Sequence, residues 1–103
     1  TNQTYEVPTG KRWYLLGGTT NRDVSGDLVI VCLDTSGNVI LELQYEAAGT
    51  GSATWPSASN SARHHSGVGR PMVLDAGEQV DLTFGAAQGA GAYASCVVLE
   101  VNM

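Results

Sequence analysis

The sequence predicts an all-β fold, a single antiparallel β-sandwich of the jelly-roll or Ig-like kind with six to eight strands, in one domain spanning residues 1–103. Three observations predict it. Residues 27–33 and 39–46 are two β-rich runs separated by the turn-forming residues 34–38, which is the pattern of a β-hairpin. Glycine supplies 13 of the 103 residues, about twice its usual share, as suits short strands joined by tight turns. Nowhere do the apolar residues follow a helical period.

The first predicted strands precede the hairpin. One covers residues 3–7 and stops at a proline, which has no amide hydrogen to give to a ladder. The next covers residues 11–16, where apolar and aromatic side chains occupy both faces, so it should lie inside or against a neighbour. Gly17-Gly18 is expected to end it, and the polar residues 19–26 are expected to form a loop.

The two arms of the hairpin differ in pattern. The first arm is apolar on both faces, which is typical of a central strand. The second arm alternates, and we expect it to have one face toward solvent. Its apolar face holds Val39, Leu41, Leu43 and Tyr45, and its polar face holds Glu42, Gln44 and Glu46.

The second half of the chain adds three shorter predicted strands. Residues 47–69 are small and polar, and a connection of about this length is generally functional. Strands are predicted at residues 71–74 and 79–84. Residues 85–92 are a glycine- and alanine-rich loop, and the last strand, residues 93–101, is apolar on both faces and should also be central.

Charge and composition exclude several classes of partner. Ten acidic residues against five basic ones give a net charge of −5, which repels phosphate backbones and anionic lipid, so we expect neither a nucleic-acid nor a membrane partner. No apolar run approaches the roughly 20 residues that span a bilayer. The polar start lacks the features of an export signal, so synthesis in a cytoplasm is expected.

The sequence carries few signals of catalytic or cofactor-binding chemistry. His64 and His65 are metal-ligand types, but adjacent strand residues face opposite ways, and no third ligand lies near them in sequence. No nucleophile elbow of the Gly-x-Ser-x-Gly kind is present. The glycine-rich residues 85–91 lack the Lys-Ser/Thr of a phosphate loop. We expect neither enzymatic activity, nor a cofactor, nor a bound metal.

Two further features leave alternatives open. Trp55, in a small and polar stretch, either anchors that stretch to its own sheet or docks into a partner. Cys32 and Cys96 each lie among aliphatic residues, and they are either buried thiols or a disulfide between neighbouring strands.

Four segments together resemble small β-sandwich structural proteins of tailed bacteriophages. They are residues 7–18, with Pro-Thr-Gly-Lys before an aromatic strand, then Arg22-Asp23, residues 71–80 with Leu-Asp-Ala-Gly-Glu, and residues 84–94. The resemblance implies a virion protein without catalytic activity, made in the host cytoplasm. More concretely, it implies a capsid decoration protein on the outside of the phage head. Such a protein would bind the major capsid protein as a homotrimer at three-fold positions and stabilise the shell.

Candidate partner-binding residues follow from this reading and from loop length. They lie in the N-terminal segment and in the loop after the hairpin, and they are Thr1, Asn2, Tyr5, Trp55, Arg63, His64 and His65. The main alternative is a receptor- or carbohydrate-binding module of a phage tail or fibre, in which Trp55, Tyr45 or Tyr14 would stack on sugar rings. A small hydrolase is a further alternative, and it would require a titrating base.

Overall fold

A computed structural model describes residues 2–55 and 72–103. These residues form seven β-strands and no helix, and every strand pairing is antiparallel, which confirms the predicted all-β class. This part of the chain has no helix that could span a membrane. The strands are β1 (Asn2–Glu6), β2 (Lys11–Leu33), β3 (Val39–Trp55), β4 (Val73–Asp75), β5 (Gln79–Phe84), β6 (Tyr93–Ala94) and β7 (Val97–Asn102).

The long strand β2 belongs to two sheets. Its first residues, 11–17, pair with β4 on one side and β7 on the other, which makes the smaller sheet. Its remaining residues pair with β3, β5 and β6, and β1 continues this larger sheet from β5 in the order β1-β5-β2-β3. A register shift between Leu15 and Gly17, with Gly17 at φ 115°, marks the passage from one sheet to the other. One strand thus contributes to both layers.

The loop predicted at residues 19–26 is wrong, since these residues continue β2. Residues 19–22 pair with residues 51–54 and Gly26 pairs with Gly49, in a segment that was also expected to be loop and instead extends β3. Gly18 does not end the strand. A Cβ there would lie 1.9 Å from the Ser95 carbonyl oxygen, so glycine serves close packing inside a continuous strand. The polar composition of residues 19–26 indicated a loop, but hydrogen bonds to neighbouring strands make this segment part of a strand.

The hydrophobic core lies between the inner faces of the two sheets. Leu15 and Leu74 come from the smaller sheet, and Leu28, Ile30 and Leu82 come from the larger one. This arrangement is that of two packed β-layers. The remaining buried apolar residues of the core are Val7, Cys32, Leu41, Leu43, Trp55, Val80, Phe84 and Ala94.

The solvent-facing side predicted for the second hairpin arm is wrong for Gln44 and Glu46. Ile30 pairs with Gln44 while Val31 pairs with Glu42, so Leu43 is an extra residue in β3. A bulge of this kind reverses the side-chain parity beyond it. Leu43 and Gln44 are consequently both buried, and Glu46, 1% exposed, also points inward.

Hydrogen bonds fasten the loop of residues 85–92 to β2. The Asp23 carboxylate accepts hydrogen bonds from the amides of Gly89 (2.7 Å) and Gly91 (3.0 Å). The side-chain oxygen of Gln88 accepts from the amides of Asp23 (3.0 Å) and Val24 (3.1 Å). The loop therefore has a defined path that leads the chain into β6 and β7.

Candidate docking surface

The outer face of the smaller sheet carries exposed apolar side chains. Along β2 and β7, Leu15 and Val98 point into the core, so the residues that alternate with them point away from it. Four of these are large and exposed, and together we call them the apolar outer face: Leu16 (63%), Leu99 (55%), Val97 (51%) and Tyr14 (37%).

Pairing brings these four residues together on two adjacent strands. Tyr14 lies opposite Leu99 in the ladder, and Leu16 is the extra residue of the register shift beside the Gly17–Val97 pair. Apolar side chains scattered singly over a surface need no explanation, whereas a contiguous group on a rigid sheet marks a contact site. Four large exposed apolar side chains thus lie together on one face of the smaller sheet.

One charged contact borders the apolar outer face. The Arg12 Nε donates to Asp75 Oδ1 at 2.7 Å across the β2–β4 ladder, and this hydrogen bond is the main cause of a raised pKa for Arg12. The Trp13 indole N–H donates to Glu100 Oε1 at 2.9 Å, and Lys11 donates to Asn102, but these residues alternate with Tyr14 and Leu99 and so belong to the other face of the sheet. The Arg12–Asp75 pair is therefore the charged contact that lies beside the apolar side chains.

β7 is an edge strand in the described part of the chain, where it pairs with β2 alone. Among the described residues the last strand therefore lies at an edge, and not in the centre as its pattern had predicted. Its two-sided apolar pattern has another origin: Val98 faces the core, while Val97 and Leu99 belong to the apolar outer face. An open strand edge presents unpaired backbone donors and acceptors, and it adds a second means of contact to the same surface.

Of the residues expected to bind a partner, the structure describes three, Asn2, Tyr5 and Trp55, and these belong to strands of the larger sheet. Thr1, Arg63, His64 and His65 fall outside the described residues. Asn2 begins β1, opposite Thr83. Tyr5 is half-buried beside the core, and its hydroxyl donates to the Ala94 carbonyl at 3.3 Å. Burial raises the pKa of this hydroxyl.

Trp55 is held by its own fold. Its side chain is 2% exposed, and the indole N–H donates to the Ser95 carbonyl oxygen at 2.8 Å. Of the two alternatives for Trp55, anchoring to its own sheet or docking into a partner, the described structure shows the first. Of the other aromatic residues considered for sugar stacking, Tyr45 is half-buried, and Tyr14 lies on the apolar outer face.

A buried polar cluster lies inside the larger sheet. Arg22 Nη2 is 3.3 Å from Glu46 Oε1, and the Thr20 hydroxyl donates to Glu46 Oε2 at 3.2 Å. Arg22 Nη1 donates to the carbonyl oxygens of Gly26 (2.5 Å) and Ala47 (2.7 Å). These bonds connect β2 with β3 where the hairpin is least apolar, so the cluster has a structural role.

The described residues show no arrangement for metal chemistry. They contain no group of three or more His, Cys, Asp or Glu side chains placed to hold an ion. Cys32 and Cys96 are not joined by a disulfide, and burial raises the pKa of the Cys96 thiol to about 11. A thiol with this pKa is a poor nucleophile near neutral pH.

Comparison with protein-family models, curated proteins and solved structures finds no match to this chain.

Proposed function

We propose that the chain is a non-enzymatic structural protein of a bacteriophage virion, a decoration protein that binds the major capsid protein on the outside of the head. The observation that carries the proposal is the apolar outer face, where four large side chains are exposed together on one sheet, along a strand that pairs with β2 alone among the described residues. Adhesion to a larger assembly requires such a surface. The resemblance in residues 7–18 and 71–80 supplies the virion context.

The size of the surface supports a multivalent mode of binding. Full burial of a large apolar side chain contributes about 1.5–3 kcal/mol, while association costs about 4–15 kcal/mol in lost freedom. Four side chains that are already partly covered therefore give one copy only weak binding. Three linked copies would gain by effective concentration, as the trimer at three-fold positions implies. Binding only to the assembled lattice would stabilise that lattice by mass action.

Charge also favours a protein partner over nucleic acid. The net charge of −5 opposes contact with phosphate. Beside the apolar outer face, the Arg12 guanidinium is paired with the Asp75 carboxylate. An apolar centre with a neutralised ion pair at its border suits a protein surface of mixed charge.

Co-sedimentation with phage heads that lack a decoration protein tests the proposal. Wild-type chain should pellet with the heads, and Val97→Asp should lower the occupancy because it places a charge in the apolar outer face. Val39→Asp is the matched control, since Val39 is 59% exposed but lies on β3 of the larger sheet. A wild-type chain that stays in the supernatant, or equal occupancy for both variants, would contradict the proposal.

A specific observation favours one second candidate, the carbohydrate-binding module of a tail or fibre. Tyr14 is an exposed aromatic residue on a flat sheet face, with the Arg12–Asp75 pair beside it. Aromatic rings stack on sugars while charged groups hydrogen-bond to hydroxyls. If the wild-type chain binds a glycan array and Tyr14→Ala does not, the carbohydrate-binding function would be supported instead of capsid decoration.

A further inference from the structure

Two backbone contacts show which residues of β7 direct their backbone groups toward β2 and which direct them away from it. The Met103 amide donates to the Gly10 carbonyl oxygen at 2.9 Å, so Met103 turns toward β2. The Leu15 amide, opposite Val98, donates instead to Met72 on the other side of β2, also at 2.9 Å. Alternate residues of an antiparallel strand bond to opposite sides. The backbone groups of residues 98, 100 and 102 therefore point to the open edge.

Among the described residues β7 pairs with β2 alone, and its own sequence carries few of the features that usually prevent pairing between proteins. Natural edge strands are protected by lysine, proline, bulges or covering loops. The strand Val97–Asn102 contains no lysine or proline, its pairing with β2 is regular from Val98 to Asn102, and its only charged residue is Glu100. Its outward side chains, Val97 and Leu99, are both more than half exposed.

We propose that two copies of the chain associate by antiparallel pairing of their β7 strands about a two-fold axis at Leu99. In this register Val97 lies opposite Val101 of the second copy, and Leu99 lies opposite its equivalent, all on the outer face. Residues 98 and 100 exchange both backbone hydrogen bonds with residues 100 and 98 of the second copy. The smaller sheet becomes one six-stranded sheet with a continuous apolar outer face.

Competing registers are less favourable for physical reasons. Directly opposed residues share a face, so the axis must pass through a residue and not between two. An axis at Glu100 places two carboxylates directly opposite each other, which is destabilising. An axis at Val98 overlaps only residues 97–99 of each strand, whereas the axis at Leu99 overlaps residues 97–101. The chain thus selects one register.

The contact is small and should be weak. A short pair of edge strands buries less than the roughly 1,200 Å² of a standard stable interface, so dissociation in the range of about 10 µM to 1 mM is expected. The inference concerns the chain alone and does not depend on the virion role. On a phage head a two-fold contact would link copies of neighbouring trimers rather than copies within one trimer.

Sedimentation equilibrium on two variants of one residue tests the backbone pairing. Glu100→Pro removes the amide that points to the open edge, and Glu100→Ala keeps it. Both variants lose the Trp13–Glu100 hydrogen bond, so its loss does not contribute to the difference between them. Wild type and Glu100→Ala should self-associate with similar constants. Glu100→Pro should associate at least about tenfold more weakly, since two of the four bonds exchanged by residues 98 and 100 are lost.

A charge exchange at the two-fold axis tests the register. Leu99→Lys and Leu99→Glu each oppose like charges at the axis, so each alone should be monomeric. An equimolar mixture should dimerise, because lysine then faces glutamate. This test remains decisive if Glu100→Pro fails to fold, and far-UV circular dichroism checks folding. A wild-type chain that is monomeric up to about 1 mM, equal association of the two Glu100 variants, or a mixture that stays monomeric would overturn the proposal.

Discussion

Removal of Arg22 should destabilise the fold more than any surface substitution. The side chains of Arg22 and Glu46 are only 9% and 1% exposed, and Arg22 also satisfies two backbone carbonyl groups. Arg22→Met keeps most of the apolar volume but removes every one of these donors. The Glu46 carboxylate is then left buried with the Thr20 hydroxyl as its remaining contact from this cluster.

The magnitude follows from the contacts that are lost. Breaking a buried ion pair by removing one partner costs about 3–5 kcal/mol, because a buried charge loses its compensation. Glu46→Gln should cost less, about 1–3 kcal/mol, since the amide oxygen still accepts a hydrogen bond and Arg22 keeps both carbonyl contacts. A domain of this size has about 5–15 kcal/mol of stability, so Arg22→Met remains foldable but marginal.

Urea unfolding followed by tryptophan fluorescence measures these effects, since Trp55 is fully buried in the core. The double variant Arg22→Met/Glu46→Gln completes a thermodynamic cycle. Because it no longer buries an unpaired carboxylate, it should be more stable than the sum of the single losses predicts, by about 1–3 kcal/mol. Additive losses, or an Arg22→Met variant as stable as wild type, would refute the assignment of Arg22 as the residue that neutralises Glu46.

Three further predictions concern single positions. Gly18→Ala should cost about 3 kcal/mol in urea unfolding because its Cβ would meet backbone, whereas Gly49→Ala, with its nearest atom at 3.8 Å, should change stability by less than about 0.5 kcal/mol. Alkylation of Cys96, followed by mass spectrometry, should still accelerate between pH 9 and pH 10, since burial raises its pKa to about 11. Hydrogen bonds from Asn38 and its turn lower the pKa of Asp34, so Asp34→Ala should be destabilising above about pH 4, and the difference should vanish as pH falls through the lowered pKa.

Local patterns predicted some elements well, and their limits have a physical origin. The first hairpin arm was recognised because it is a continuous apolar run rich in β-branched residues before a turn, and residues 79–84 were recognised because their side chains follow a two-residue period. Residues 19–26 were not recognised, because a polar strand is stabilised by its ladder partner, residues 49–54, and not by its own composition. Pairing between distant segments leaves no local signal in either one.

The apolar outer face shows the same limit at the level of function. The strand that contains Val97 and Leu99 was expected to be central, since an edge strand with an exposed apolar face has the same two-sided apolar pattern as a central strand. The position of β7 beside β2 decides between the two, and only the topology supplies it. The lack of lysine and proline in the strand was nevertheless visible in sequence, and together with its edge position it is the feature on which the proposed pairing rests.

One extra residue in β3 explains why charge appears inside this fold. Without the bulge at Leu43, strict alternation would send Gln44 and Glu46 to solvent, and Arg22 would have no carboxylate beside it. With the bulge, Glu46 turns inward and can neutralise Arg22. The bulge at Leu43 and the buried Arg22–Glu46 pair therefore depend on each other. Deleting Leu43 should therefore expose Glu46 and leave Arg22 buried without its carboxylate partner. The free energy of unfolding should fall by more than it does when one leucine side chain is removed from the core. A deletion variant no less stable than Leu43→Ala in urea unfolding would show that the buried pair does not depend on the bulge.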